Sequence, residues 1–135
     1  MPAEEIPEDV RRFLFEHVEG YDQLEVLVLL RGQTGRGLSA DELADASKIP
    51  VALVDTALEE LCRTGFVERL TGQAGSEHRY LPRPTDHVAT IERLSQVYRE
   101  NPLGIVKLMN ANALERVRTS AMRAFANAFV LGGKK

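Results

Sequence analysis

Apolar residues recur at helical spacing along most of the chain, and this pattern predicts a mainly α-helical protein. The helix predicted over residues 7–17 has its apolar side chains on one face and acidic residues in its first turn. The next helix, over about 22–31, is apolar on nearly all sides, so we expect it to be the most buried element. The polar, glycine-containing run over 32–37 then predicts a loop.

The segment that follows predicts two helices separated by a tight turn. Ser39 and Glu42 form a capping-box pattern, which predicts the start of a short helix that ends near residue 47. Apolar residues at spacings of four and three then predict a second helix over 51–64. Gly65 suits the left-handed conformation that commonly ends a helix. This order of elements is that of a helix-turn-helix.

Two short strands and about three further helices complete the predicted elements. Residues 66–70 and 78–81 predict strands of a hairpin joined by a polar loop. Capping patterns predict helices that begin near residues 85, 101 and 112. The last of these helices carries an apolar stripe formed by Leu114, Val117, Ala121, Phe125 and Phe129.

Residues 38–84 resemble the winged-helix domains of bacterial transcription regulators such as the MarR-type group. The resemblance covers about a third of the chain. It implies a mainly α fold with a small β-hairpin, in which a winged helix-turn-helix is followed by C-terminal helices. It also implies a cytoplasmic bacterial regulator of transcription that binds double-stranded DNA. The residues that carry it are Ser39-x-x-Glu42-Leu43-Ala44, Ile49 at the turn, Val54-x-x-x-Leu58-x-x-Leu61, and Thr64-Gly65-Phe66-Val67.

The chain of 135 residues is long enough for one hydrophobic core, and we expect no second globular domain. We divide it into a flexible N-terminal arm and a winged-helix domain with two leading helices, followed by a C-terminal helical region for dimerisation or packing and a short tail. These parts span residues 1–6, 7–84, 85–131 and 132–135.

The resemblance also implies how DNA would be contacted. The helix over 51–64 would lie near the major groove and the hairpin would contact the DNA backbone. Thr56 and Asp55 would face base edges, while Arg69 and Arg79 would hold phosphates. The implied DNA-binding residues are Lys48, Val51, Ala52, Asp55, Thr56, Arg63, Arg69, His78, Arg79 and Arg83.

Charge is distributed unevenly along the chain. The net charge of −3 combines −8 over residues 1–70, with 15 acids and 7 bases, and +5 over residues 71–135, with 5 acids and 10 bases. The helix that should enter the groove carries almost no positive charge, and the sequence pI is about 5.6. Both observations argue against strong DNA binding by a monomer. The alternative hypothesis is therefore a winged-helix module that binds a protein partner and not DNA.

The stripe on the last helix has two interpretations, internal core or an interface with a second subunit. We expect a homodimer, because a DNA-binding domain with little positive charge gains most in affinity when a two-fold partner lets it bind two half-sites.

The sequence contains no catalytic constellation, so we predict a protein that is not an enzyme and needs no cofactor. His17, His78 and His87 lie in different elements without a second ligand at metal-like spacing. Cys62 is the single cysteine, and we expect it to be structural because no base lies near it in sequence. No apolar run approaches the roughly 20 residues that span a bilayer, and the acidic start does not resemble a secretion signal.

Overall fold

The computed structural model describes residues 6–33, 36–72, 75–82 and 85–133, with side chains described as far as residue 128. A short 3₁₀ turn, Thr85–His87, precedes the fifth α-helix. The regular elements are α1 (Glu8–His17), α2 (Tyr21–Gly32), α3 (Ala40–Ser47), α4 (Val51–Thr64), β1 (Val67–Gly72), β2 (Gly75–Tyr80), α5 (Val88–Glu100) and α6 (Pro102–Gly133).

One hydrophobic core joins the helix-turn-helix to the flanking helices. The apolar faces of α1, α2 and α4 meet the first turns of α6 and the inner face of α5. Leu24, Val26, Leu27 and Leu30 are fully buried, so α2 lies at the centre as predicted. Ile6, which we expected in the flexible arm, instead packs in this core, and the rest of that arm lies outside the described residues.

The helix-turn-helix begins at the capping box that the sequence predicts. The Glu42 backbone N–H donates to Ser39 Oγ at 3.1 Å, and the Ser39 N–H donates to Glu42 Oε1 at 2.9 Å. Helix α3 ends at Lys48, whose φ of 64° is left-handed, and α4 starts directly after Pro50. Helix α4 ends at Gly65, with φ 90°, as its position in the sequence predicts.

The hairpin is longer than predicted and is held by a third chain segment. Strand pairing runs from Val67↔Tyr80 to Gly72↔Gly75, which includes residues that the sequence placed in the loop. Leu38 forms a bridge to His78 through two backbone hydrogen bonds of 2.8 and 2.7 Å. This bridge ties the β1–β2 hairpin, which is the wing of the winged helix, to the segment that leads into α3.

The C-terminal region contains two helices where we predicted about three. Asn101 caps the start of α6 by accepting a hydrogen bond from the Gly104 N–H at 3.1 Å. The predicted restart at Asn112 is wrong, because α6 continues through it without a break. Residues 108–111 contain no helix breaker, so the preceding helix does not end there and no new helix starts at residue 112.

Helix α6 contacts the body through its first half and then runs outward. The Arg116 guanidinium donates to the Phe15 carbonyl at 2.6 Å and to the Leu14 carbonyl at 3.3 Å, and it lies 5.2 Å from the Phe15 ring centroid. All side chains described from Val117 to Ala128 are exposed. No helix in the described part of the chain has the length and apolar character needed to cross a membrane.

Candidate nucleic-acid interface

The outer face of α4 does not take part in the core. Its inner stripe, Val54, Leu58 and Leu61, is buried, which leaves the opposite flank exposed. Four of the predicted DNA-binding residues lie together on this flank: Val51, Ala52, Asp55 and Thr56. The Thr56 hydroxyl donates to the Ala52 carbonyl at 3.2 Å, so its oxygen lone pairs face outward as acceptors.

The cations around the helix-turn-helix differ in how their charge is used. Lys48 is exposed at the turn between α3 and α4. Arg63 pairs with Glu60 at 2.7 Å, and this guanidinium holds the pKa of the Glu60 carboxyl below its usual range. Lys48 therefore offers more positive potential to a phosphate than Arg63 does.

The two hairpin arginines are in different electrostatic states. Arg79 lies opposite Glu68 in the register, and its Nη2 atom is 2.5 Å from Glu68 Oε1. Arg69 is exposed on β1, and no ion pair to it occurs within the described ranges. Arg69 is thus the hairpin cation best placed to meet an anion, whereas the charge of Arg79 is partly neutralised.

His78 does not lie where an exposed wing cation would lie. Its side chain is only 4% exposed, because strand alternation turns it inward beneath the Leu38 bridge. Burial, and then the neighbouring Arg69, lower the pKa of His78. A neutral, buried imidazole cannot neutralise a phosphate, so we leave His78 out of the candidate interface. Arg83, also predicted to contact DNA, lies outside the described residues.

The surface of the helix-turn-helix is acidic. Residues 39–64 hold six acids and two bases, and of those acids all but the half-buried Glu60 are exposed. Beside these acids, Val51 and Leu53 expose 42% and 47% of their surface. The structure therefore brings Val51, Ala52, Asp55 and Thr56 together, but on a face whose field repels phosphate.

Three features outside the predicted interface were not predicted from the sequence. Arg31 pairs with Glu92, and Arg93 pairs with Asp9 at 2.8 Å, so ion pairs fix α5 against α2 and α1. A cluster of four rings joins α1 to the base of the hairpin. The only sequence signal for that cluster was the four-residue spacing of Phe13 and His17 on one helix face.

Cys62 lies half-buried on α4, as expected for a structural thiol. Burial raises the pKa of Cys62, which disfavours the reactive thiolate at neutral pH. The described residues contain no group of three side chains that could hold a metal ion.

Comparisons with known proteins identify the fold. No family model matches the chain, and no curated protein matches it in sequence. The fold is similar to S. aureus MepR in a DNA complex, with 16% identity over 83% of this chain and 89% of that chain and a TM-score of 0.54. It is also similar to the reduced form of E. coli MarR, with 17% identity, coverage of 86% and 85%, and a TM-score of 0.53. A mutant of E. coli MarR gives 19% identity, coverage of 90% and 85%, and a TM-score of 0.52. The predicted fold, a winged helix of the type found in MarR-family regulators, is thereby confirmed.

Proposed function

We propose that this chain is a DNA-binding transcription regulator of winged-helix type that works as a homodimer. The observation that carries the proposal is the geometry of α3, α4 and the hairpin, in which the outer face of α4 is exposed beside the wing. A protein of the same fold, S. aureus MepR, has been solved in a complex with DNA. In this arrangement α4 enters the major groove and the hairpin follows the backbone.

The roles of the contact residues follow from their exposure and pairing. Thr56 and Asp55 accept hydrogen bonds from base donors, and Asp55 suits the amino group of cytosine. Val51 and Ala52 offer apolar contact to thymine methyl groups. Lys48 and Arg69 supply phosphate contacts. Arg63 joins them by exchanging its carboxylate partner for phosphate, at a cost of about 0–1 kcal/mol for this surface pair. Arg79 can join them only by giving up its part-buried pair with Glu68.

A second copy compensates for the small number of cations. The stripe residues Leu114, Val117 and Phe125 are between 62% and 72% exposed, although they are large and apolar. Helical geometry places this stripe roughly opposite Arg116, which faces α1 of the same chain. An exposed apolar surface of this kind is typical of an interface, and a two-fold partner doubles the phosphate contacts. Ala121 lies in the same stripe, and the side chain of Phe129 lies outside the described residues.

A protein-binding module is the second candidate, and the acidic surface of α3 and α4 favours it. Exposed acids beside Val51 and Leu53 match a basic, partly apolar protein segment better than they match a polyanion. In that case the same α4 face binds protein and no DNA.

DNA binding is tested by fluorescence anisotropy with a pool of random-sequence duplexes at about 50 mM salt, followed by a salt titration. We expect the wild-type protein to bind, and Arg69→Ala to weaken binding to all sequences. The slope of log K against log salt should fall by about one for each phosphate that the variant no longer neutralises. Arg99→Ala, which also removes one exposed charge but from α5, should have little effect. If the wild-type protein shows no retention of DNA at low salt, the DNA hypothesis is wrong.

Glu59→Gln separates the two candidates directly. If α4 approaches phosphates, removal of this exposed carboxylate should raise DNA affinity several-fold, because it removes a repulsion. Glu100→Gln, at the far end of α5, should leave affinity unchanged. Equal affinities for both variants would mean that α4 does not meet DNA.

A further inference from the structure

Four aromatic rings meet at the point where the helix-turn-helix, the hairpin and the flanking helices join. Phe13 and His17 come from α1, Phe66 follows the residue that ends α4, and His87 lies in the 3₁₀ turn before α5. Every pair among the four rings is in contact, with centroid distances from 4.7 to 5.7 Å. The shortest distance, 4.7 Å, joins the two imidazoles, which cross at 67°.

This ring cluster contacts the base of the hairpin through Phe66. The Phe66 N–H donates to the Leu61 carbonyl at 3.0 Å, so Phe66 is tied to the last turn of α4. The Phe66 carbonyl accepts from the Leu81 N–H at 3.1 Å, so it also holds the outgoing end of the hairpin. A shift of Phe66 away from α1 would therefore move both ends of the wing together.

Few charges face the two imidazoles. On α1, the Glu16 carboxylate lies 3.8 Å from His17 Nε2, and it is 54% exposed. On the 3₁₀ turn, Asp86 precedes His87 and is exposed. The ionic groups nearest the end of α4, Glu60 and Arg63, are paired with each other.

On the α5 side of the ring cluster, the nearby charges are paired with each other. Arg93 of α5 is paired with Asp9 of α1. Within the described part of the chain, the exposed Glu16 carboxylate is the one acidic group within 4 Å of either imidazole, so two imidazolium ions side by side would have to share it. The described residues contain no group of three His, Cys, Asp or Glu side chains arranged to hold a metal ion, so we do not assign a metal to the imidazole pair.

We propose that His17 and His87 form a proton-operated joint between α1 and the wing. With both imidazoles neutral, the four rings pack in edge-to-face and tilted contacts that hold Phe66 against α1. Protonation of one ring is tolerated beside Glu16. Protonation of both places two positive charges in a half-buried site at ring-contact distance, and their repulsion separates α1 from the base of the hairpin.

The direction of the pH effect follows from the protonation of His17. Burial, and then the neighbouring His87, lower the pKa of His17 in the folded chain, while Glu16 raises it. The contribution of His17 to stability is therefore complete above the unfolded value of about 6.5 and is lost as the pH falls below it. The joint is closed at neutral pH and opens in mild acid, and it does not depend on whether the wing contacts DNA.

The test is an NMR titration of the histidine side chains in the full chain between pH 8 and pH 5, for the wild type and for His87→Phe. The phenyl ring preserves the packing and removes the second charge, so we expect the pKa of His17 to rise in the variant. His87→Gln repeats the measurement with a smaller uncharged side chain. Identical His17 titrations in all three proteins would overturn the proposal.

Hydrogen exchange of the hairpin amides gives the second measurement. In the wild type we expect protection factors over Val67–Gly72 and Gly75–Tyr80 to fall between pH 7 and pH 5.5. The fall should be several-fold smaller in His87→Phe. His78 is a buried residue of β2 and is unchanged in the variant, so its own titration should cancel in the comparison. An equal fall in both proteins would show that the imidazole pair does not operate the wing.

Discussion

Arg116 stabilises the C-terminal end of α1 from a distant position in the chain. The last carbonyls of a helix have no partner within it and need donors from elsewhere. Here the guanidinium reaches the carbonyls of Leu14, Phe15 and Val18, at distances between 2.6 and 3.5 Å. It also lies near the ring of Phe15, where the positive charge favours the aromatic face. One side chain therefore fixes α6 to α1.

Arg116→Ala should lower the free energy of unfolding by about 1 kcal/mol, because the variant loses the charged donor to the Phe15 carbonyl and the contact with the Phe15 ring. Urea denaturation followed by circular dichroism measures this change. Arg123→Ala is the matched control, since it removes the same charge from an exposed position on the same helix. Equal midpoints for the two variants would contradict the assigned role of Arg116.

Single residues were the hardest features to predict from the sequence. Strand alternation was legible, but the sequence could not show that Leu38 covers His78 and buries it. It also could not show that Glu68 pairs with Arg79 and leaves Arg69 exposed. Both outcomes depend on contacts between different segments, Leu38 with β2 and β1 with β2, which the pattern within one segment does not encode.

At the scale of elements, α3 depends on its cap. The helix has only eight residues, which is too short for stability from propensity alone. Its capping box satisfies two backbone donors at the N-terminus, and Leu43 is its one buried residue.

Ser39→Ala should therefore lower the free energy of unfolding by about 1 kcal/mol, the usual cost of removing an N-cap side chain. Hydrogen exchange should show the largest increase in the amides of α3. Ser120→Ala, on the exposed part of α6, is the control and should change neither measurement. An effect of the same size in Ser120→Ala would contradict the conclusion that the Ser39 cap stabilises α3.

Elements with strong local signals were predicted well from the sequence. The bounds of α3 and α4 follow from the Ser39–Glu42 pattern, the apolar stripe and Gly65. The same type of signal misled at Asn112, because a capping pattern within good helix formers does not interrupt a helix. The extension of the hairpin to Gly72 and Gly75 was missed, since turn residues were taken as the end of pairing.

At the scale of the whole molecule, α6 carries the surface through which we propose that two copies of the chain associate. The interpretation of its stripe as internal core is wrong for Leu114, Val117, Ala121 and Phe125, all of which are exposed. The sequence could not decide this, because an apolar stripe has the same spacing in a core and in an interface.

Val117→Asp should convert the proposed dimer to a monomer, because a carboxylate in an apolar interface loses its hydration without a partner. Size-exclusion chromatography with light scattering should show the mass falling from about twice 15.0 kDa to 15.0 kDa. Thr119→Asp places the same charge on another face of α6 and should remain dimeric. Monomeric wild-type protein, or an unchanged mass for Val117→Asp, would rule out this interface.

The single cysteine of the chain has a practical consequence. Cys62 lies on the side of α4 near the hairpin, half shielded, with burial raising the pKa of its thiol. The rate at which Cys62 is alkylated should therefore depend on how often the residues that shield the thiol move away from it. Cys62 can thus report local opening on the buried side of α4 in the wild-type chain. The rate of its modification by iodoacetamide, followed by mass spectrometry, measures that opening without an introduced label.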